Sequence, residues 1–158
     1  MQFERRHDEF RSVLRFVRSN YDWTLVDLGR SLSPLTMTVL EEMDETFLVT
    51  TLEIPALHQA KMIVQTLMDA GYGRHRLHLL INRMPKHPDV TIAELESMLG
   101  LPIYLALPDD HGGLNEAYAE NQLLSSKTEL GKMYARLANM MAGHEAKKAK
   151  AGFFTRVF

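Results

Sequence analysis

Tyr21-Asp22-Trp23-Thr24-Leu25-Val26-Asp27-Leu28-Gly29-Arg30 is the stretch on which the reading of this chain turns. An apolar run ends in an aspartate, and a glycine follows two residues later. A strand with apolar residues on both faces belongs in a parallel sheet covered by helices on each side. Such a strand delivers its last carboxylate to the carboxyl edge of the sheet, where open α/β folds bind ligands. In a nucleotide-hydrolysing α/β domain, an aspartate placed like Asp27 holds Mg²⁺ through water. The phosphate-gripping counterpart, G-x-x-x-x-G-K-[ST], does not occur anywhere in the 158 residues.

On either side of this run, the pattern alternates between the two periods. Upstream, Phe3 to Ser19 is helical: Phe10, Val13, Leu14 and Val17 form one stripe, and Arg11, Arg15 and Arg18 fall largely off it. Downstream, Ser33-Pro34 opens a helix that runs to about Met43, with Ser33 as its cap. Thr46 to Thr51 is a β-branched strand. Ile54-Pro55 begins a helix that Gly71 closes. Arg76 to Asn82 reads as a third strand, and Met84 to Val90 as a loop. Thr91 with Glu94 is a capping box, and Gly100 ends that helix. Pro102 to Leu107 is a fourth strand, followed by a turn from Pro108 to Gly113. A short helix from Leu114 to Asn121 and a longer one from Lys127 to Met141 complete the domain, residues 1–143. Residues 144–151 read as a flexible linker and 152–158 as an amphipathic tail. The expected fold is α/β: a mostly parallel sheet of about four strands with helices on both faces.

Composition narrows the class further. An apolar share of 46% with 24% charged residues is that of a globular protein, which excludes collagen-like and disordered classes. No apolar run approaches the roughly 18 residues of a spanning helix. A formal charge of −2 gives no general pull toward nucleic acid, and none is expected as a partner. The absence of cysteine removes disulfides, thiolate zinc sites and cysteine nucleophiles, and fits a reducing cytoplasm. The charged N-terminus, with no apolar core, is not a secretory signal. The acidic cluster Glu41-Glu42-Asp44-Glu45 reads as a solvated helix end. His75 and His78, three apart at a strand start, point to opposite faces and make a poor metal pair.

Four segments, in order and spacing, resemble the MinD/ParA family of deviant-Walker ATPases, and within it the CpaE-like branch. They are YDWTLVDLGRSL (21–32) as the Walker B strand and its loop, LLINR (79–83), the Leu99-Gly100-Leu101-Pro102 to Pro108-Asp109-Asp110 segment, and NEAYAENQLL (115–124). The likeness runs from about Asp8 to Met141. It implies a partial P-loop NTPase fold of the SIMIBI type that lacks the P-loop strand. It also implies inherited nucleotide positions: Asp27 for water-bound Mg²⁺, Asn82 and Arg83 beside the adenine, and Pro108 and Asp109 on the far wall of the base pocket. ATP and Mg²⁺ would serve the intact parent, with nucleotide-dependent homodimerisation. No cofactor is expected for this chain alone, which carries no catalytic residue of its own. The family's phosphate loop, paired lysines and switch I lie upstream of the matching region. Without the phosphate-loop strand, Trp23 to Leu28 pairs differently or leaves an open apolar edge for association.

The branch implies assembly or positioning of a pilus or secretion apparatus, and hence a protein of that apparatus as partner. The family also carries a basic, Phe- and Leu-rich C-terminal helix that lies at the membrane interface. Here Lys147, Lys148, Lys150 and Arg156 surround Phe153, Phe154, Val157 and Phe158. Those four apolar positions span about 140° of one helical face. Docking of this tail on a membrane or partner implies a cytoplasmic protein, peripheral at the inner face of the membrane. The alternative is a stand-alone interaction module on a degenerate NTPase scaffold with no nucleotide binding.

Overall fold

The structure is a computed structural model, described here for residues 2–143. The expected linker, 144–151, and the expected tail, 152–158, with Lys147, Lys148 and Lys150, lie outside the described residues. Within them the order is α1 (Gln2–Asn20), α2 (Pro34–Glu42), β1 (Thr46–Thr50), α3 (Ile54–Asp69), β2 (Leu77–Met84), α4 (Ile92–Leu99), β3 (Ile103–Pro108), α5 (His111–Ala119) and α6 (Glu129–Met141). The class is α/β, as expected. The sheet has three strands among the described residues, in the order β1-β2-β3, and β2 and β3 pair in parallel.

The missing fourth strand is Trp23–Leu28, and this corrects the sequence reading. The run lies between α1 and α2 outside any ladder. Thr24, Val26 and Leu28 are half-buried, whereas Trp23 is 59% and Leu25 82% exposed. A strand needs a neighbour to take its backbone N–H and C=O groups. Among the described residues, Asp22 to Leu28 find none: the backbone makes no hydrogen bond there apart from the turn that ends the run. Sequence pattern specifies a strand's side chains but cannot supply its partner.

Contacts divide the chain into two compact units, one drawn from residues up to Thr46 with Leu67–Leu77, the other from Phe47–Thr66 and from His78 onward. In the first, Ser33 caps α2 by accepting from the Thr36 amide at 3.1 Å. The apolar faces of α1 and α2 bury Leu14, Val39 and Leu40. The carboxyl end of α2 is closed by arginine. The Arg76 guanidinium donates to the carbonyls of Leu40 (3.0 Å), Glu41 (3.3 Å) and Met43, and stacks 4.9 Å over the Tyr72 ring. A cation is favoured where helix carbonyls are left unpaired. Arg18 binds Asp44 at 2.9 Å and the Glu42 carbonyl at 2.8 Å. The acidic cluster is thus a solvated helix end tied by arginines.

In the second unit the two faces of the sheet are both covered. Leu79 and Ile81 pack with Leu57 and Ala60 of α3 and Leu95 and Leu99 of α4. Leu80, Leu105 and Leu107 pack with Leu130 and, more peripherally, Met133 and Leu137 of α6. The capping box on α4 forms as read: Thr91 Oγ1 accepts from the Glu94 amide at 3.3 Å, and Glu94 accepts from the Thr91 amide at 2.8 Å. Glu96 anchors the start of β3 by accepting from the Ile103 amide at 2.8 Å. α5 begins earlier than its sequence suggests. Asp110 caps it and His111 is its first residue, so the turn expected through Gly113 is shorter.

Candidate functional site at the carboxyl edge of the sheet

Two strand ends meet at this edge. Met84 of β2 is in register with Pro108 of β3, and the Asp109 amide donates to the Met84 carbonyl at 2.9 Å. From Ile81 to Met84 the register advances three residues on β2 against two, Ala106 to Pro108, on β3. The extra residue falls in Asn82-Arg83, where Arg83 has φ 54°. A non-glycine residue in the left-handed region is uncommon and carries strain that surrounding structure must hold. Here the Asn82 side chain helps hold it: Oδ1 accepts from the Arg83 amide at 3.0 Å. A bulge at a strand end re-aims side chains. Arg83 and Asp109 are exposed, and Asn82 and Pro108 half-buried. Four of the five nucleotide positions expected from the sequence, Asn82, Arg83, Pro108 and Asp109, therefore lie on the ends of two paired strands.

Asp27 belongs to the other unit. It is exposed, and its Oδ1 accepts from the Gly29 amide at 2.9 Å in an Asx turn, with Gly29 at φ 67°. The turn uses one carboxylate oxygen and leaves the other toward water.

The edge offers side-chain amide hydrogen-bonding groups rather than an open helix N-terminus. The Asn82 amide nitrogen has no partner among the described residues, and its oxygen keeps a second lone pair, so the amide offers one donor and one acceptor to a base. Phosphates are commonly taken by helix N-termini. The two helices that follow these strands already hold their own carboxylates there. Asp110 accepts from the Gly113 amide at 3.0 Å, and Glu94 closes the first turn of α4. The Thr91 amide, and then the Thr91 hydroxyl, hold the Glu94 carboxyl below the ordinary value of 4.5. Neither helix start favours a second anion. Among the described residues, no group of three or more His, Asp or Glu side chains is placed to hold a metal. No described helix is long and apolar enough to cross a membrane.

This is the α/β architecture of a partial P-loop NTPase fold. The chain resembles the septum site-determining protein MinD of Helicobacter pylori, at 24% identity over 158 aligned residues, covering 90% of this chain and 59% of that protein. Among solved structures it resembles a ParA family ATPase from Chlorobium tepidum at TM-score 0.71 and 26% identity, covering 79% of this chain and 53% of the other. It also superposes on the MinC:MinD cell division protein complex of Aquifex aeolicus at TM-score 0.74 and 14% identity, covering 92% and 63%. No protein-family model matches the chain. The chain is related to the MinD/ParA-family ATPases and spans little more than half the length of the relatives it matches.

Two features of the site had no sequence signal. Asn82-Arg83 reads as the end of a regular strand, and only the register exposes the bulge. Asp110 was hidden as a cap because Gly112-Gly113 reads as turn.

Proposed function

We propose that this chain is the C-terminal portion of a MinD/ParA-type ATPase of the CpaE-like branch. Its role is the assembly or positioning of a pilus or secretion apparatus. In that reading Asn82, Arg83, Pro108 and Asp109 form the base side of the nucleotide site, and Asp27 the Mg²⁺ side. The triphosphate would be gripped by a phosphate loop that these 158 residues do not contain, so the chain alone does not hydrolyse ATP. Nucleotide-dependent homodimerisation belongs to the intact parent. The tail, Lys147, Lys148, Lys150, Phe153, Phe154, Arg156, Val157 and Phe158, docks on the inner face of the membrane or on an apparatus protein, and places the protein peripherally in the cytoplasm.

The observation that carries this reading is the joining of Asn82-Arg83 and Pro108-Asp109 at one sheet edge by the Asp109–Met84 hydrogen bond, in a chain related to these ATPases. The coding sequence upstream of Met1 tests it. An in-frame G-x-x-x-x-G-K-[ST] is expected, and the longer product should hydrolyse ATP and lose that activity on Asp27→Ala. An upstream region without such a segment favours the second reading, an interaction module with no nucleotide binding. The exposed apolar run around Trp23 supports that alternative.

A further inference from the structure

Among the described α-helices, α5 alone buries no residue. Gly113 and Ala117, one turn apart on one side, are half-buried, and the rest of the helix is exposed, Tyr118 at 88%. A helix this short is ordinarily held by an apolar face packed on the core, because a few turns alone are marginal in water. α5 lacks that face. Its first turn also contains Gly112 and Gly113, which lose more backbone freedom on folding than any other residue type.

Both ends, by contrast, are fastened. Asp110 Oδ1 accepts from the Gly113 amide at 3.0 Å. At the other end the Gln122 amide donates to the Ala117 carbonyl at 2.8 Å, and the Asn121 amide to the Tyr118 carbonyl at 3.1 Å. Asn121 closes that turn in the left-handed region, at φ 52°. Caps rather than core therefore hold α5. An element with so few buried contacts opens at a far lower free energy than the sheet beside it.

The first cap adjoins the carboxyl edge. Asp109, the residue before Asp110, donates its amide to the Met84 carbonyl and so joins the ends of β2 and β3. Asp109 is exposed, and water competes for that bond. We propose that α5 is a latch on this edge. It unfolds and refolds while the sheet stays intact, and the Asp109–Met84 bond holds only while α5 is folded. A ligand that needs the joined strand ends selects the folded latch, and the empty edge opens. That this ligand is a base rests on the reading above; the opening itself does not.

Hydrogen exchange of the full chain by NMR tests this without nucleotide, at several urea concentrations below the unfolding transition. Amides of residues 115–120 should have protection factors at least about 100-fold below those of residues 79–81 in β2. Their exchange should be insensitive to urea, the mark of an opening that exposes little surface. The Asp109 amide should share the α5 value. A Cβ on Gly112 meets nothing within 4 Å, so Gly112→Ala should raise protection of α5 and of Asp109 together, by about two- to fivefold. Asp110→Ala removes the cap and should lower both, by about fivefold. An α5 protected as well as β2 would overturn the proposal, whether residues 144–158 or a second copy covers it. So would an Asp109 amide that keeps the protection of residues 105–107 in β3, or one that ignores both substitutions.

Discussion

Arg83 is the residue at which the candidate site departs from regular structure. It holds φ 54° at the bulge where β2 leaves the sheet, with its amide bonded to Asn82 Oδ1. If that conformation is built in, a β-branched side chain there cannot adopt it cheaply. Arg83→Val should cost about 1–2 kcal/mol in urea denaturation, while Arg83→Gly should cost nothing or stabilise slightly. Equal losses from both would mean the left-handed backbone is not needed. Gly131 makes a different demand. A Cβ there would stand 2.0 Å from the Ser125 carbonyl oxygen, which is backbone and cannot swing aside. Gly131→Ala should therefore cost about 3 kcal/mol, the upper part of the range for overpacking. The same unfolding experiment checks it.

Elements show what was legible in the sequence and what was not. The caps at Ser33 and Thr91 were readable because a cap is settled within four residues, and both hydrogen-bond as the pattern says. The strands at Thr46, Leu77 and Ile103 were readable because helices cover both faces of the sheet they enter. Trp23–Leu28 looked equally strand-like, yet a ladder is non-local, and a run's own pattern does not contain its partner. The bulge at Asn82-Arg83 was invisible for the same reason: register belongs to a pair of strands. Thr91→Ala removes the cap of α4 and should cost about 1 kcal/mol. Glu94, held below its ordinary 4.5, stabilises the folded state above that value, and the contribution is lost as pH falls through the lowered one. Protection factors of the α4 amides, which correct for the intrinsic pH dependence of exchange, should therefore fall below pH 4.5 in the native chain, and Glu94→Gln should flatten that dependence. At the end of α2, Arg76→Met strands three carbonyls and should cost about 2 kcal/mol, measured by thermal unfolding.

Across the whole molecule, the residues proposed for nucleotide binding are unevenly placed. Asn82, Arg83, Pro108 and Asp109 stand on the ends of two paired strands, and Asp27 stands in a turn of the other unit. The helix starts that follow β2 and β3 are closed by Glu94 and Asp110, so neither start is open to a phosphate. Binding energy for ATP comes largely from its charged phosphates, through a backbone nest, a lysine and Mg²⁺ held together with them. In the proposed reading this chain holds only the base side of the site and should not retain the nucleotide. Isothermal titration of Mg²⁺·ATP into the full chain tests this most directly. No detectable heat is expected at millimolar nucleotide. Saturable binding that Asp27→Ala or Asn82→Ala weakens would contradict it, because the half-site would then be working without a phosphate loop.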